Sequence, residues 1–299
     1  MAGAQRIYKQ KIRATSTLEK VFRAMELIAA SRIGKARENA MGQDPYTRAL
    51  TNSIATVAAH AHGDHPLISE RTDTNKVAVV VVTSDRGMAG AYSSSVLRET
   101  DKLLEELKEA GKEPMLFVTG RRGVTYYRFR GVPMERTWTG GSDKPSGDTS
   151  QEIADTVLEH FLAPAEEGGI AELHVVYTRF HSMVRQVVEV RRMLPLGVVD
   201  ADDNTELGEM PLYEFEPSAQ KVFDALLPMY VSQRIHSVLL MAAASELASR
   251  QQAMHSATEN AQELIRNYTR LANNARQAEI TTEITEIISG SDSMEKKKK

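Results

Sequence analysis

Stepped at 3.5 residues, the first segment of the chain reads Ala4, Ile7, Lys11, Ala14, Leu18, Val21, Met25, Ile28, Arg32, Lys35. Ala14 to Ile28 form an unbroken apolar seam, and charged residues follow it. The last segment gives Val222, Leu226, Met229, Gln233, His236, Leu240, Ala243, Leu247, Arg250, Met254, Ala257, Ala261, Leu264, Tyr268, Leu271, Ala275 and Ala278. Fourteen of these seventeen are apolar, the mark of a narrow coiled-coil seam rather than a broad globular face. Glycine and proline placement agrees. Neither occurs between Ala4 and Ile33, no glycine lies between Glu209 and Ser289, and no proline follows Pro228. Helix interiors avoid both residues, so two long helices flanking a turn-rich middle are expected. A helix from Met229 to Ile288 would be on the order of 90 Å long, a rod longer than any domain here. Pro228 fits either a first-turn proline or a kink.

The middle of the chain changes period. VAVVVVT from Val77 reads as a buried strand and SSSVLRETDKLLEELKEAG as an amphipathic helix ending at Gly111. MLFVTG reads as a strand, RRGVTYYRFRG as a helix or turn, and SQEIADTVLEHFL as a helix. ELHVVYT and MVRQVVEVRRML close the series as strands. Such alternation suggests an α/β sheet with crossover helices. The organisation expected is an N-terminal helix over 1–58, an α/β domain over 76–213 and a C-terminal helix over 217–289.

After Ala278 the apolar stripe shifts to Ile280, Ile284, Ile287 and Ile288, mixed with Thr281, Thr282, Thr285 and three glutamates, before Gly290 is expected to stop the run. The N-terminal helix is much the shorter, so these last turns are expected to outrun it and face something else.

Composition narrows the chemistry. With 299 residues, 41% hydrophobic, 26% charged, a net charge of −3 and no cysteine, the chain has no disulfide, thiolate nucleophile or cysteine metal ligand. No window reaches the roughly 18 apolar residues of a membrane span, and the N-terminus lacks a signal-peptide core, so a cytoplasmic protein is expected. Residues 1–37 hold nine basic side chains against Glu19 and Glu26, while Asp200 to Glu216 holds seven acidic and no basic ones, an exposed linker. The basic residues spread round the helix with few aromatics between them, which does not suit nucleic acid. TSDRGMAGAYSSS follows a strand and precedes a helix, where α/β sheets place phosphate loops, yet it forms neither GxGxxG nor GxxxxGK[ST]. A tight structural turn is the expected role. His60, His62, Asp64 and His65 are plausible ligand types, but they crowd one breaker-rich loop without a second cluster. Gly120 to Gly123, GRRG, reads as a solvated turn that could hold an anion. The residues alone describe no enzyme.

Four stretches carry a resemblance. ARQAEITTEITEIISG is similar to the C-terminal signature of the gamma subunit of F-type ATP synthases, matching at Ile280, Thr281, Glu283, Glu286 and Gly290 and departing at Ser291, where the family has alanine. IRATSTLEKVFRAMELIAASRIGKA resembles that family's N-terminal helix, and ASRQQAMHSATENA a segment of its long C-terminal helix. VVTSDRGMAGAYS resembles its strand-to-helix turn, with Ala89 for cysteine and Ser93 for asparagine. The similarity covers the whole chain in order.

The resemblance implies an α/β fold plus a long antiparallel coiled coil. The N- and C-terminal helices would form the coil, and a central Rossmann-like domain would form a foot. It also implies a rotating central stalk that couples ion flow through a membrane c-ring to ATP synthesis in an alpha3beta3 head, with no active site or cofactor of its own. The implied partners are the alpha, beta and epsilon subunits and the c-ring, at the cytoplasmic face of the cell membrane, with no nucleic acid and no small-molecule substrate. Lys20, Met25, Arg276, Gln277, Thr281, Glu283 and Glu286 would couple to the head. Ala278, Ile280, Ile284, Ile287 and Ile288 would form an apolar bearing collar. Arg32, Lys35, Arg37 and Tyr213 would lie at the foot.

Overall fold

The computed structural model describes residues 2–60, 70–195 and 214–295 of the chain. Its elements in order are α1 (Ala2–Gly42), α2 (Asp44–His60), β1 (Lys76–Val82), α3 (Tyr92–Glu109), β2 (Glu113–Thr119), α4 (Arg121–Phe129), β3 (Arg136–Trp138), α5 (Gly147–Leu162), β4 (Glu172–Phe180), β5 (Gln186–Leu194) and α6 (Ala219–Glu295). They fall into two compact units, one of Met1–Ile28 with Gln251–Lys299, the other Ala29–Arg250.

The larger unit is built on a five-stranded sheet in the order β3-β2-β1-β4-β5. The first four strands are parallel, and β5 returns antiparallel to β4. The run KVAVVVV makes β1 the centre because every second residue can be buried on each face. Val77, Val79 and Val81 pack with Val96, Leu103 and Leu107 of α3 and Val124 and Tyr127 of α4. Ala78, Val80 and Val82 face the opposite way, into a core with Ile153, Val157 and Phe161 of α5 and Val231, Ile235 and Val238 of α6. Ser146 caps α5 by accepting the Thr149 N–H at 3.2 Å. β3 has only three residues, too few to show a period, and was not expected.

Gln43 separates α1 from α2, and Pro45 stands in the first turn of α2, where its missing N–H costs nothing. Ile33 packs on Leu247 and Ala248, and Gln233 Nε2 donates to Gln43 Oε1 at 2.8 Å. α1 and α6 therefore already run antiparallel in this unit. Pro228 lies inside α6, well past its first turn. α6 also continues through Gly290 to Glu295, so that glycine does not stop it.

The smaller unit continues the pairing. Tyr8 stacks on Tyr268 with centroids 6.4 Å apart, Gln262 Nε2 donates to Glu19 at 2.9 Å, and His255 Nδ1 lies 2.9 Å from Glu26. One number rises as the other falls, which fixes antiparallel helices and their register.

The seam read from α1 is displaced by one residue. Tyr8, Ile12, Thr15, Ser16, Glu19, Phe22 and Glu26 are among the less exposed positions, as is Met25 of the expected seam, whereas Ile7, Leu18, Val21 and Ile28 are 46–53% exposed. The paired face of α1 is partly polar because cross-helix hydrogen bonds satisfy it. The apolar stripe points outward instead. Along α6 the seam is closer to expectation: Met254 and Ala261 are buried, but Leu264 and Ala278 face out.

Candidate functional site

Two regions of the chain have geometry that bears on function. The first is the end of α6. Continuing the α1–α6 register sets the start of α1 level with about residue 280, so the turns beyond have no partner on α1. There Ile280, Ile284, Ile287 and Ile288 are 44, 52, 72 and 57% exposed. Thr281, Thr282 and Thr285 donate their hydroxyls to the carbonyls of Gln277, Ala278 and Thr281, at 2.8–2.9 Å. This back-bonding lets β-branched residues sit in a helix without competing for its backbone. It also leaves none of these three hydroxyl protons free. Arg276, Gln277, Ala278, Glu283 and Glu286 are exposed.

Lys20 is exposed and Met25 half-buried on α1. The same register puts them level with about residues 261 and 256 of α6. Lys20 is thus about 15 residues, or on the order of 20 Å, along the helix from Arg276. The seven residues expected to couple to the head form two levels, not one cluster.

The residues assigned to the foot are also separate. Arg32 is held by Asp143 at 2.7 Å, Lys35 lies 3.8 Å from Glu38 on its own helix, and Arg37 is exposed. Tyr213 lies outside the described residues, as do His62, Asp64 and His65; His60 ends α2.

The second region is the TSDRG turn at the carboxyl ends of β1 and β2. Thr83 Oγ1 donates to Thr119 O and accepts the Gly123 N–H at 2.9 Å. Gly120 has φ +90, and a Cβ there would stand 2.1 Å from the Thr83 carbonyl, so only glycine lets α4 start this close to β1. Asp85 Oδ2 accepts the N–H groups of Gly140, Gly141 and Ser142 at 2.9, 2.7 and 3.0 Å, and Oδ1 accepts that of Arg121 at 3.1 Å. Burial pushes the Asp85 carboxyl up, but these backbone bonds outweigh it and hold it below the usual carboxylate range. A backbone nest and a helix N-terminus are where an α/β sheet takes a phosphate. Here the chain's own carboxylate fills that place. The cavity beside it, lined by Asp85, Gly120, Trp138 and Leu239 among others, has a volume of about 70 Å³, far below the roughly 300 Å³ of a small-molecule site. The GRRG glycines serve packing rather than a solvated turn.

Two features of this unit escaped the sequence reading. The cradle around Asp85 is supplied by TGGS, whose adjacent glycines were the available signal. Glu246 and Arg250, 1% and 6% exposed, form an ion pair at 2.6 Å one helical turn apart. Tyr92, which donates to Ala242 O at 3.2 Å, lies close enough for the Glu246 charge to act on its hydroxyl. Burial raises the Glu246 carboxyl, opposed by Arg250 and by a hydrogen bond from Ser142. An i,i+4 Glu–Arg pair inside LLMAAASELASR was its only trace.

The fold is that of ATP synthase stalk chains. A chain of the Euglena gracilis mitochondrial ATP synthase, OSCP/F1/c-ring, in rotational state 3, superposes with TM-score 0.67 at 16% identity, covering 100% of this chain and 97% of that one. A chain of the Tetrahymena thermophila mitochondrial ATP synthase central stalk/c-ring gives 0.58 at 18%, covering 79% and 99%. A family profile described as ATP synthase matches residues 4–294. The ATP synthase gamma chain of Beutenbergia cavernae is 61% identical over 294 residues, 98% of this chain and 99% of that one. That of Arthrobacter sp. (strain FB24) is 52% identical over 293 residues, 98% and 99%. The chain belongs to the gamma-chain family of ATP synthases.

Proposed function

We propose that this gamma-family chain is the turning shaft of its synthase and that it has no active site of its own. The supporting observation is the end of α6, where four exposed isoleucines and back-bonded threonines lie beyond the register of α1. An apolar collar without free hydroxyl donors can slide against a sleeve of alpha and beta subunits without sticking. Arg276, at its base, brings a planar fork that binds a carboxylate or carbonyls and releases them on rotation. Glu283 and Glu286 offer exchangeable contacts beside it. A shaft face that fits one beta conformation better than another shifts that equilibrium by the difference and no more.

Lys20 and Met25 act at a second level further down the coil. Arg37, and Lys35 beside it, suit contacts of the foot with the c-ring and an epsilon subunit, whereas Arg32 is already engaged by Asp143. The filled anion nest at Asp85 supports a structural role for the α/β unit. No helix among the described residues is long and apolar enough to cross a membrane, and the chain reaches the membrane through its partners at the cytoplasmic face. The test is Arg276→Ala in the assembled synthase. The expected result is intact assembly with ATP-driven ion pumping reduced several-fold relative to hydrolysis. Unchanged coupling and torque would remove Arg276 from the mechanism.

A further inference from the structure

α4 has an outer face that none of the described residues uses. Gly123, Val124 and Tyr127 are its buried side. Arg121, Arg122, Thr125, Arg128 and Phe129 are exposed, and they recur at helical spacing along one stripe. Phe129 is 90% exposed, more than any other large hydrophobic residue among those described. The helix contains no acidic residue. Neighbouring Arg130 shows how an arginine is settled within this fold: it pairs with Asp101 at 2.6 Å and lies over the Tyr126 ring. Arg121, Arg122 and Arg128 have no such partner among the described residues. Two of the three also stand at the N-terminal end of the helix, where its dipole disfavours cations. The Asp85 carboxylate, which accepts the Arg121 N–H, already takes four backbone N–H groups.

We infer that this stripe docks an acidic protein surface, one that brings two or three carboxylates to the arginines around an apolar pocket for Phe129. Arginine and aromatic side chains are the residues that anchor interfaces, and the guanidinium fork matches carboxylates in paired hydrogen bonds. A lipid surface fits less well. Membrane-lying helices present a broad apolar face, and α4 has turned its apolar side inward, leaving one phenylalanine. The inference rests on the chain working within a multisubunit assembly.

The test places a photo-cross-linker in the whole complex by Phe129→p-benzoylphenylalanine, and identifies the adduct by mass spectrometry. Assembly and ATP hydrolysis are measured on the same preparation. The expected adduct is with a peptide of another subunit rich in Asp and Glu. Its yield should fall about tenfold when Arg121→Glu, Arg122→Glu and Arg128→Glu are combined, the scale of three exposed ion pairs lost. An adduct with lipid or with a peptide lacking acids would overturn the inference, as would no adduct in an assembled, active complex. Failure of the chain with Phe129 intact to assemble would count against the proposed function and take this inference with it.

Discussion

Asp85 joins three pieces of backbone that are far apart in sequence: its own turn after β1, the start of α4 and the Gly140–Ser142 loop. Asparagine would keep one acceptor oxygen but lose the charge and at least one of the four backbone bonds. Asp85→Asn is expected to cost about 1–2 kcal/mol, hydrogen bonds to a charged group discounted for solvent at a half-buried site. Because its folded carboxyl ionises below the usual range, this stabilisation is present above the unfolded value near 4 and fades as pH falls through the folded one. The gap between parent and variant should therefore narrow in acid, as urea unfolding read at the lone Trp138 would reveal. The Glu246–Arg250 pair behaves differently. Arg250→Met would leave a carboxylate buried without its counter-ion, a loss of about 3–5 kcal/mol, whereas adding Glu246→Leu should restore most of it. A double variant no more stable than Arg250→Met alone would show that the pair does not act as a unit. At this scale the sequence was partly legible. TSDRG reads as a turn because glycines punctuate it, but the carboxylate's partners lie some 55 residues away (Asp85 to Gly140), and no local pattern carries that.

Elements were more legible than their faces. β1, α3, β2, α5, β4 and β5 follow from period and punctuation, since valine runs and amphipathic stripes report burial directly. β3 was too short to register. The seam of α1 misled for a physical reason: a periodic apolar stripe reports that a face is covered, not what covers it. In this chain the face toward α6 carries Glu19 and Glu26, made tolerable by Gln262 and His255, and the apolar stripe looks elsewhere. The hydrogen bond from His255 to Glu26, with the nearby Glu259 charge, holds the imidazole more basic than usual, consistent with a polar clasp between the helices. Phe22→Ala should accordingly destabilise the coil by about 1–3 kcal/mol, and Val21→Ala, 46% exposed, by no more than about 0.5 kcal/mol. Equal losses in thermal melts of the two variants would restore the seam that spacing alone suggested.

For the whole molecule, the terminal signature ARQAEITTEITEIISG raises the question of why threonines and isoleucines should close a helix. The hydroxyls are consumed within the helix and the isoleucines remain uncovered, so the end of α6 is finished as a helix yet unfinished as a packing surface. The α/β unit shows the converse, a ligand-type crevice closed by the chain's own Asp85. Together they support the proposed reading of a subunit that works through its contacts. The most direct test is ATP hydrolysis by alpha and beta subunits purified from the same source, with and without this chain. A large chain-dependent rise is expected, together with a complex of three alpha, three beta and one of this chain. No rise and no complex would contradict the proposed reading.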